Sequence, residues 1–528
     1  MAHAFTMFPG DPSGYTNRLK SSDQAKYPKT AFFQGPLQVS RVECDVTELE
    51  TSGEIPKEIN GTFYRVQPDP QFPPMYEEDV NFSGDGNVTA FVFRDGHVDL
   101  KQRYVRTDRF KAERESRKAL FGKYRNPYTD SEMVKGIIRT VSNTNVYFWR
   151  GALLASKEDG PPYAMDPKTL ETTGRYDFEG QMKAPASRRT PRSTRIRVRW
   201  WLSHTRRAKT QESWYKAPFC GMIHDCALTK NYLILPMTPI VADLERIKKG
   251  GNHWAWDPTK DQCYGIVPRK GGKPEDIVWL RAENGFHGHV AGAYEDENGH
   301  IVCDLTVADG NVFFWWPPDD AGDGAVQKSM PQRQRLISDT FRWVFDPKSP
   351  TDTRVTPAPM RAPAGGLWNV IGHYNWDTGA KDEYFAGPTC TFQEPVFVPK
   401  AEDSPEGEGY LMTLLNHLDV QRNDLVIFDA LDLAKGPVAA LHLPVRMRMG
   451  LHGNFVPQSE IDDWNRRRGG EEGPVQVATE PLPWQTKLAE AAAAAAHQNG
   501  SNGASDTNGA TNGTNGVNGT NGTNGVHA

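Results

Sequence analysis

The chain has 528 residues, a formal net charge of −5 and 38% hydrophobic residues, with 48 glycines and 39 prolines. That length can bury a large core, and one all-β barrel or propeller can use nearly all of it. The mildly acidic balance argues against a dedicated nucleic-acid binder, and no apolar run reaches the roughly 18 residues that a membrane-spanning helix needs.

The opening MAHAFTMFPGDPSGYTNR lacks the apolar core of a secretory leader. The six cysteines are scattered with no CxxC pair. A reducing cytoplasmic setting with free thiols is the expectation. Residues 1–36 are polar and punctuated, and read as an N-terminal arm. From Leu37 the texture changes to short alternating runs such as GTFYRVQ, VTAFVFRDGHVDL, YLILPMTPIV, GYLMTLLNH and DLVIFDA. Turn signals (RDGH, GDGN, EDENGH) separate them. Apolar and polar residues alternate with the period of half-buried strands, although 88–94 reads as buried on both faces. Convincing helices are few: 108–121, and a short turn at 244–249. Many strands without βαβ alternation predict an all-β fold. Periodicity leaves propeller and sandwich open, and length favours the propeller. After Trp484 comes a run of six alanines and then NGT and NGV repeats, so 481–528 is expected to be a disordered tail. The β domain spans 37–480.

Fourteen histidines are present. A lone histidine is more often a core or surface residue than a ligand, yet histidine is also the commonest metal ligand. Three stand out by context: His224 in GMIHDCAL, His289 in GFHGHVAGAYED and His452 in MGLHGNFVP. Widely spaced single histidines suit a radial fold in which separate strands aim side chains at one axis. His287 and His289 are two apart, so a strand would put both on one face. Spacing alone leaves open which of them is a ligand.

The words around these histidines resemble the carotenoid cleavage oxygenase family, and most of all its lignostilbene and resveratrol dioxygenase branch. The resemblance rests on NGTFYRVQPDPQ, FSGDGNVTAF, RYVRTDRF, ALFGKYRNPYTD, YKAPFCGMIHD, GNVFFWWPP, FQEPVFVP and MGLHGNFVP, and runs over about 37–460. It implies a seven-bladed β-propeller, with a few short helices capping the face that carries the active site. An Fe(2+) ion would sit on the axis, held by four histidines. His224, His289 (preferred over His287 for its H-x-x-x-A-Y-E context) and His452 match three of them. Glu158 in LLASKED and Glu394 in FQEPVFVP match glutamates that stand behind the ligands. A carboxylate there accepts the far imidazole N–H and fixes tautomer and ring orientation. The implied reaction is dioxygen-dependent scission of a C=C bond into two carbonyl products, on an aryl-alkene such as a stilbenoid or on an apocarotenoid. In the stilbenoid branch a tyrosine and a lysine engage the substrate's 4′-hydroxyl. Tyr104 in RYVRT and Lys135 in MVKG are the candidates, against the plainer reading of a structural tyrosine and a solvated lysine.

The chain departs from the family twice. Where a segment like APxFTAHPKxDPxTGE is expected, 186–211 carries eight arginines, one lysine and no acid. A basic surface patch or a nucleic-acid contact are two readings. A shifted reading frame is the third and preferred one. One permitted codon choice for 186–194, regrouped by a base, spells Ser-Phe-Thr-Ala-His-Pro-Lys-Val-Asp, and the lost histidine straddles Arg189 and Thr190. His204, in RWWLSHTRR, is a poor substitute. Second, a stretch with Glu-Phe-Pro-Arg and Asp-Asp-Arg is absent after 353–366. A site with one ligand missing is expected to hold iron poorly. The rival in a different class is a catalytically inactive propeller acting as an interaction scaffold.

Overall fold

The computed structural model describes residues 26–178, 195–199, 212–270, 272–322, 338–360, 368–375 and 378–467. These fall within one compact unit, Met1–Glu480. The expected tail and residues 1–25 of the expected arm lie outside the described residues, as does most of the arginine block.

The fold is an all-β propeller of successive antiparallel sheets. The chain closes it twice, by exchanging its ends. The late strand Gly453–Pro457 pairs with Gly61–Pro68 in the first sheet. The early strand Glu50–Gly53 pairs with Ala439–His442 in the last one. Each exchange ties sequence ends into one sheet, with the exchanged strand as its outermost member. It also sets His452 directly before a strand held by Gly61–Pro68, from the other end of the chain.

Burial follows the sequence pattern. Strand His97–Tyr104 alternates exposed and buried positions, and Gly86–Arg94 is buried along nearly its whole length, as a strand between two layers must be. Phe63 and Phe91, paired across the first sheet, are wholly buried with rings 5.9 Å apart. Truncating either to alanine is expected to cost roughly 3–5 kcal/mol.

Seven blades were the expectation. Among the described residues five sheets have four or more strands, and two are only two-stranded ladders: Arg195–Arg199 with Glu212–Lys216, and Val370–Tyr374 with Lys381–Phe385. Both ladders adjoin the stretches where the sequence leaves the family pattern. The alternating apolar residues that would build further strands are missing there.

Helices are few. The first, Asp108–Ser116, is capped by the Thr107 side chain and stops at Arg117, whose φ of 54° is left-handed. It is therefore shorter than the 108–121 expected. Leu120 and Phe121 instead donate their backbone N–H groups to Glu113. Leu244–Lys248 is one short turn, and Gln458–Arg467 follows the closing strand. Part of the expected arm is packed: Tyr27 donates to the Pro70 carbonyl at 2.8 Å, and Arg448 reaches the carbonyls of Phe32 and Leu37. No helix among the described residues is long and apolar enough to cross a membrane.

Candidate metal centre and its aromatic wall

His224 lies in the loop after Gly221–Met222, and His289 on strand Phe286–Glu295. Their Nε2 atoms face each other at 3.1 Å. Asp225 holds the two segments together: its Oδ2 accepts the backbone N–H of Val290 at 2.9 Å. The Thr306 hydroxyl accepts the His289 N–H at 2.9 Å. Glycine is required at 288, where a Cβ would stand 2.5 Å from that hydroxyl. The His452 ring lies edge-on to His289, with centroids 5.1 Å apart.

The strand pattern misleads at His287. Pairing with Ile301–Ala308 shifts register between His287 and Val290, so the two histidines do not share a face. A bulge re-aims side chains in this way. His287 is wholly buried beside Tyr264, and burial pushes its pKa down to about 3. His289 is the one that meets His224.

The charge states of His224 and His289 suit ligation, which needs neutral imidazoles. Burial, reinforced by His289, pushes His224 down to about 4. Burial and then His452 lower His289. His224 and His289 are hemmed in by protein yet keep solvent-accessible surface, so they line an internal cavity. At His452 burial pulls the pKa down, but Glu394 outweighs it and the net shift is upward. Glu394 takes Nδ1 of His452 at 2.9 and 3.0 Å on its two oxygens, leaving Nε2 turned away from the carboxylate. Behind Glu394 stands the buried Arg65, which donates to the Gln393 side chain and the Glu394 carbonyl, each at 3.1 Å. Glu158 acts electrostatically on His224 without a hydrogen bond to it.

The donors fit a divalent ion in part. Two imidazole nitrogens bound side by side at about 2.1 Å from one ion are about 3 Å apart, and the His224–His289 separation of 3.1 Å matches that figure. No group of three or more His, Cys, Asp or Glu among the described residues is a complete metal site. The third ring stands beside the pair rather than closing on it, and the segment expected to supply a fourth ligand lies outside the described residues.

One wall of this cavity is aromatic. Phe313 and Phe286 lie 6.0 and 6.3 Å from the His224 ring. Phe82 packs on Phe313 at 5.9 Å and on Tyr124 at 6.3 Å, and Tyr124 packs on Trp316 at 5.3 Å. Into this wall comes the amine of Lys157, 4.8 Å from the Tyr124 ring centroid, donating to the Phe82 carbonyl. Lys157 is buried, and burial lowers its pKa; burial and then Glu158 raise that of Tyr124. Tyr104 and Lys135 sit elsewhere. Tyr104 is 2% exposed and donates to Asp69 at 3.0 Å; Lys135 is an exposed partner of Glu132 at 3.2 Å. Sequence reading passed over Tyr124 and Lys157 although both lie in quoted words, ALFGKYRNPYTD and LLASKED, the lysine directly before Glu158.

Comparison with known proteins decides the lineage. The profile of the retinal pigment epithelial membrane protein family matches residues 37–364 and 355–457. The chain belongs to this family, the carotenoid cleavage oxygenases. Resveratrol cleavage oxygenase 1 of Chaetomium globosum is 47% identical, over 93% of this chain and 99% of that protein. Carotenoid cleavage oxygenase 1 of Neurospora crassa is 39% identical, over 87% and 98%. Among solved structures, the Pseudomonas brassicacearum lignostilbene dioxygenase matches with a TM-score of 0.73 at 35% identity, covering 82% of this chain and 99% of that one. The protein is thus an oxygenase by descent. The two profile matches meet at 355–364, beside the point where sequence analysis finds a family stretch missing.

Proposed function

We propose that this oxygenase cleaves the C=C bond of a 4-hydroxylated aryl-alkene of the stilbenoid type, with Fe(2+) held by His224, His289 and His452. The observation that carries the reading is the facing Nε2 pair of His224 and His289, 3.1 Å apart, bordered by the Phe313 and Phe286 rings. When bound, the ion would supply dioxygen activation, and the two oxygen atoms end in two carbonyl products. The rest falls to the chain's own side chains. Phe313 and Phe82, both only partly buried, offer ring faces to an aryl group. Glu394 keeps a proton on Nδ1 of His452 and so leaves Nε2 as the donor atom. Tyr124 and Lys157, rather than Tyr104 and Lys135, are proposed to engage the substrate hydroxyl. A lysine whose pKa burial has lowered accepts a phenolic proton less readily than a solvated one but holds it less tightly. Its hydrogen bond to the substrate oxygen draws that oxygen towards phenolate, which pushes electron density to the alkene. The short helices Asp108–Ser116 and Leu244–Lys248 we assign to the face bearing the histidines. Asn126 supports this: it donates to the carbonyls of Ile247 and Gly251 at 2.9 and 2.7 Å, two residues from Tyr124.

The domain responsible is taken as 37–480. The loss of the first histidine, straddling Arg189 and Thr190, is expected to weaken iron binding and slow the reaction. The six cysteines are all free, which supports a reducing, cytoplasmic setting. A second reading, an inactive scaffold, is favoured by the absence of a complete metal site among the described residues. Anaerobic loading of the full chain with Fe(2+), followed by oxygen and resveratrol, separates the two. The proposal expects two aldehydes in equal amounts with one O2 consumed per alkene; iron bound without any aldehyde would refute it.

A further inference from the structure

The last sheet carries a polar relay that the oxygenase site does not use. Asp424, 3% exposed, sits between two imidazoles: its Oδ1 is 3.1 Å from Nδ1 of His442 and its Oδ2 is 2.9 Å from Nε2 of His417. Arg422 donates to the same Oδ2 at 3.1 Å. With one nitrogen of each ring facing the carboxylate, the other nitrogen is turned towards a different partner. On His442 that nitrogen is Nε2, 2.8 Å from the Ser52 hydroxyl. On His417 it is Nδ1, 3.5 Å from the Cys390 sulfur. Two nucleophile–imidazole–carboxylate relays therefore share one acid, and each has the order of groups that activates a hydroxyl or thiol.

Access separates the two halves. Cys390 is 7% exposed, and burial pushes its thiol up, so that half is closed and its sulfur protonated. Ser52 is exposed. It lies on Glu50–Gly53, an edge strand of its sheet, and an edge strand keeps outward N–H groups free to steady a developing oxyanion. Exposed Glu50 and Glu54 flank it and disfavour anionic ligands. Val438, 37% exposed and next to Gly53, offers an apolar contact.

We propose that Ser52 is an activated nucleophile, a second reactive site that takes acyl groups from small uncharged aryl esters. It shares no residue with the histidine cavity. Ser52 Oγ bonds to the ester carbonyl carbon as His442 Nε2 takes the hydroxyl proton. The bond from that carbon to the aryl oxygen then breaks, and the proton leaves with the aryl oxygen as a phenol. Water, deprotonated by the same nitrogen, displaces the acyl group as a carboxylic acid and restores Ser52. Asp424 is a positioning residue here, because it acts through His442.

The test needs no iron. The full chain is treated with a fluorophosphonate probe, the adduct is mapped by peptide mass spectrometry, and 4-nitrophenyl acetate turnover is followed in parallel. Labelling is expected at Ser52 in the folded chain and not in the heat-denatured one. It is expected to slow on the order of 100-fold in His442→Gln, the lower range for loss of a general base, and to persist in Cys390→Ala. Ester turnover is expected to fall at least tenfold in Ser52→Ala, an exposed position whose truncation leaves the fold intact. An unlabelled Ser52, equal labelling of folded and denatured chain, or unchanged turnover in Ser52→Ala would each overturn the proposal.

Discussion

Replacing Lys157 with methionine is the sharpest probe of the aromatic wall. The substitution keeps the side chain's length and apolar stem and removes the ammonium group. The Phe82 carbonyl still accepts from Asn143 Nδ2 at 3.0 Å, but Asn143 Oδ1 loses the amine at 3.5 Å and the buried Asp159 loses the positive charge that does most to keep it ionised. The buried amine that departs is one that burial already disfavours in its charged form. Removing one partner of a buried charge pair is destabilising by about 3–5 kcal/mol, so the unfolding midpoint should fall, and binding is compared well below it. Binding should change. A hydrogen bond from a charged donor contributes about 1.5–3 kcal/mol, which at about 1.4 kcal/mol per decade is roughly a 10- to 100-fold rise in Kd. Trp315 and Trp316 line the wall, so quenching of their fluorescence reports ligand binding without iron or turnover. The loss should appear for resveratrol and be absent for stilbene, which has no hydroxyl. Equal weakening of both ligands, or of neither, would refute the assignment of Lys157 to the substrate hydroxyl.

Three further outcomes follow from the same geometry. Tyr104→Phe removes a buried hydroxyl bonded to Asp69 and should cost about 1–3 kcal/mol in urea unfolding while leaving resveratrol affinity unchanged; a Kd shift with no stability loss would return Tyr104 to the substrate site. His287 is held neutral by burial, its pKa down at about 3 from 6.5. Above pH 6.5 it contributes no pH dependence. As pH falls from 6.5 towards 3 only the unfolded chain takes the proton, so stability drops; His287→Leu should flatten the stability difference between pH 8 and pH 5, and an unaltered slope would contradict this. Replacing 186–194 with Ser-Phe-Thr-Ala-His-Pro-Lys-Val-Asp should tighten Fe(2+) binding at least tenfold, since even residues that only support ligands contribute that much; equal affinity in equilibrium dialysis would count against the shifted frame.

Much of the fold and part of the site could be read directly from sequence. Alternating runs identify strands such as His97–Tyr104, and the words around His224 and His452 single out those residues from eleven others besides His289. Local pattern fails where a long-range event intervenes. Nothing in GFHGHVAGAYED announces the register shift after His287, so period-two reasoning put His287 and His289 on one face. Tyr104 and Lys135 were chosen by neighbouring words; Tyr124 and Lys157 come together only through the packing of Phe82 between distant segments. The exchange of strands Glu50–Gly53 and Gly453–Pro457 between the first and last sheets likewise joins segments about 400 residues apart. No local motif encodes such a pairing, and the blade count was overstated for a related reason. It was inherited from the family at two places where this chain no longer carries the family's sequence.

The most direct test of the account is whether distant imidazoles share one ion. Anaerobic Fe(2+) titration of the full chain, read by equilibrium dialysis, should saturate at one ion per chain. Binding should be lost in each of His224→Ala, His289→Ala and His452→Ala and kept in His287→Leu. Titrations in which any of the three alanine variants binds as the parent does, or in which His287→Leu abolishes binding, would contradict it.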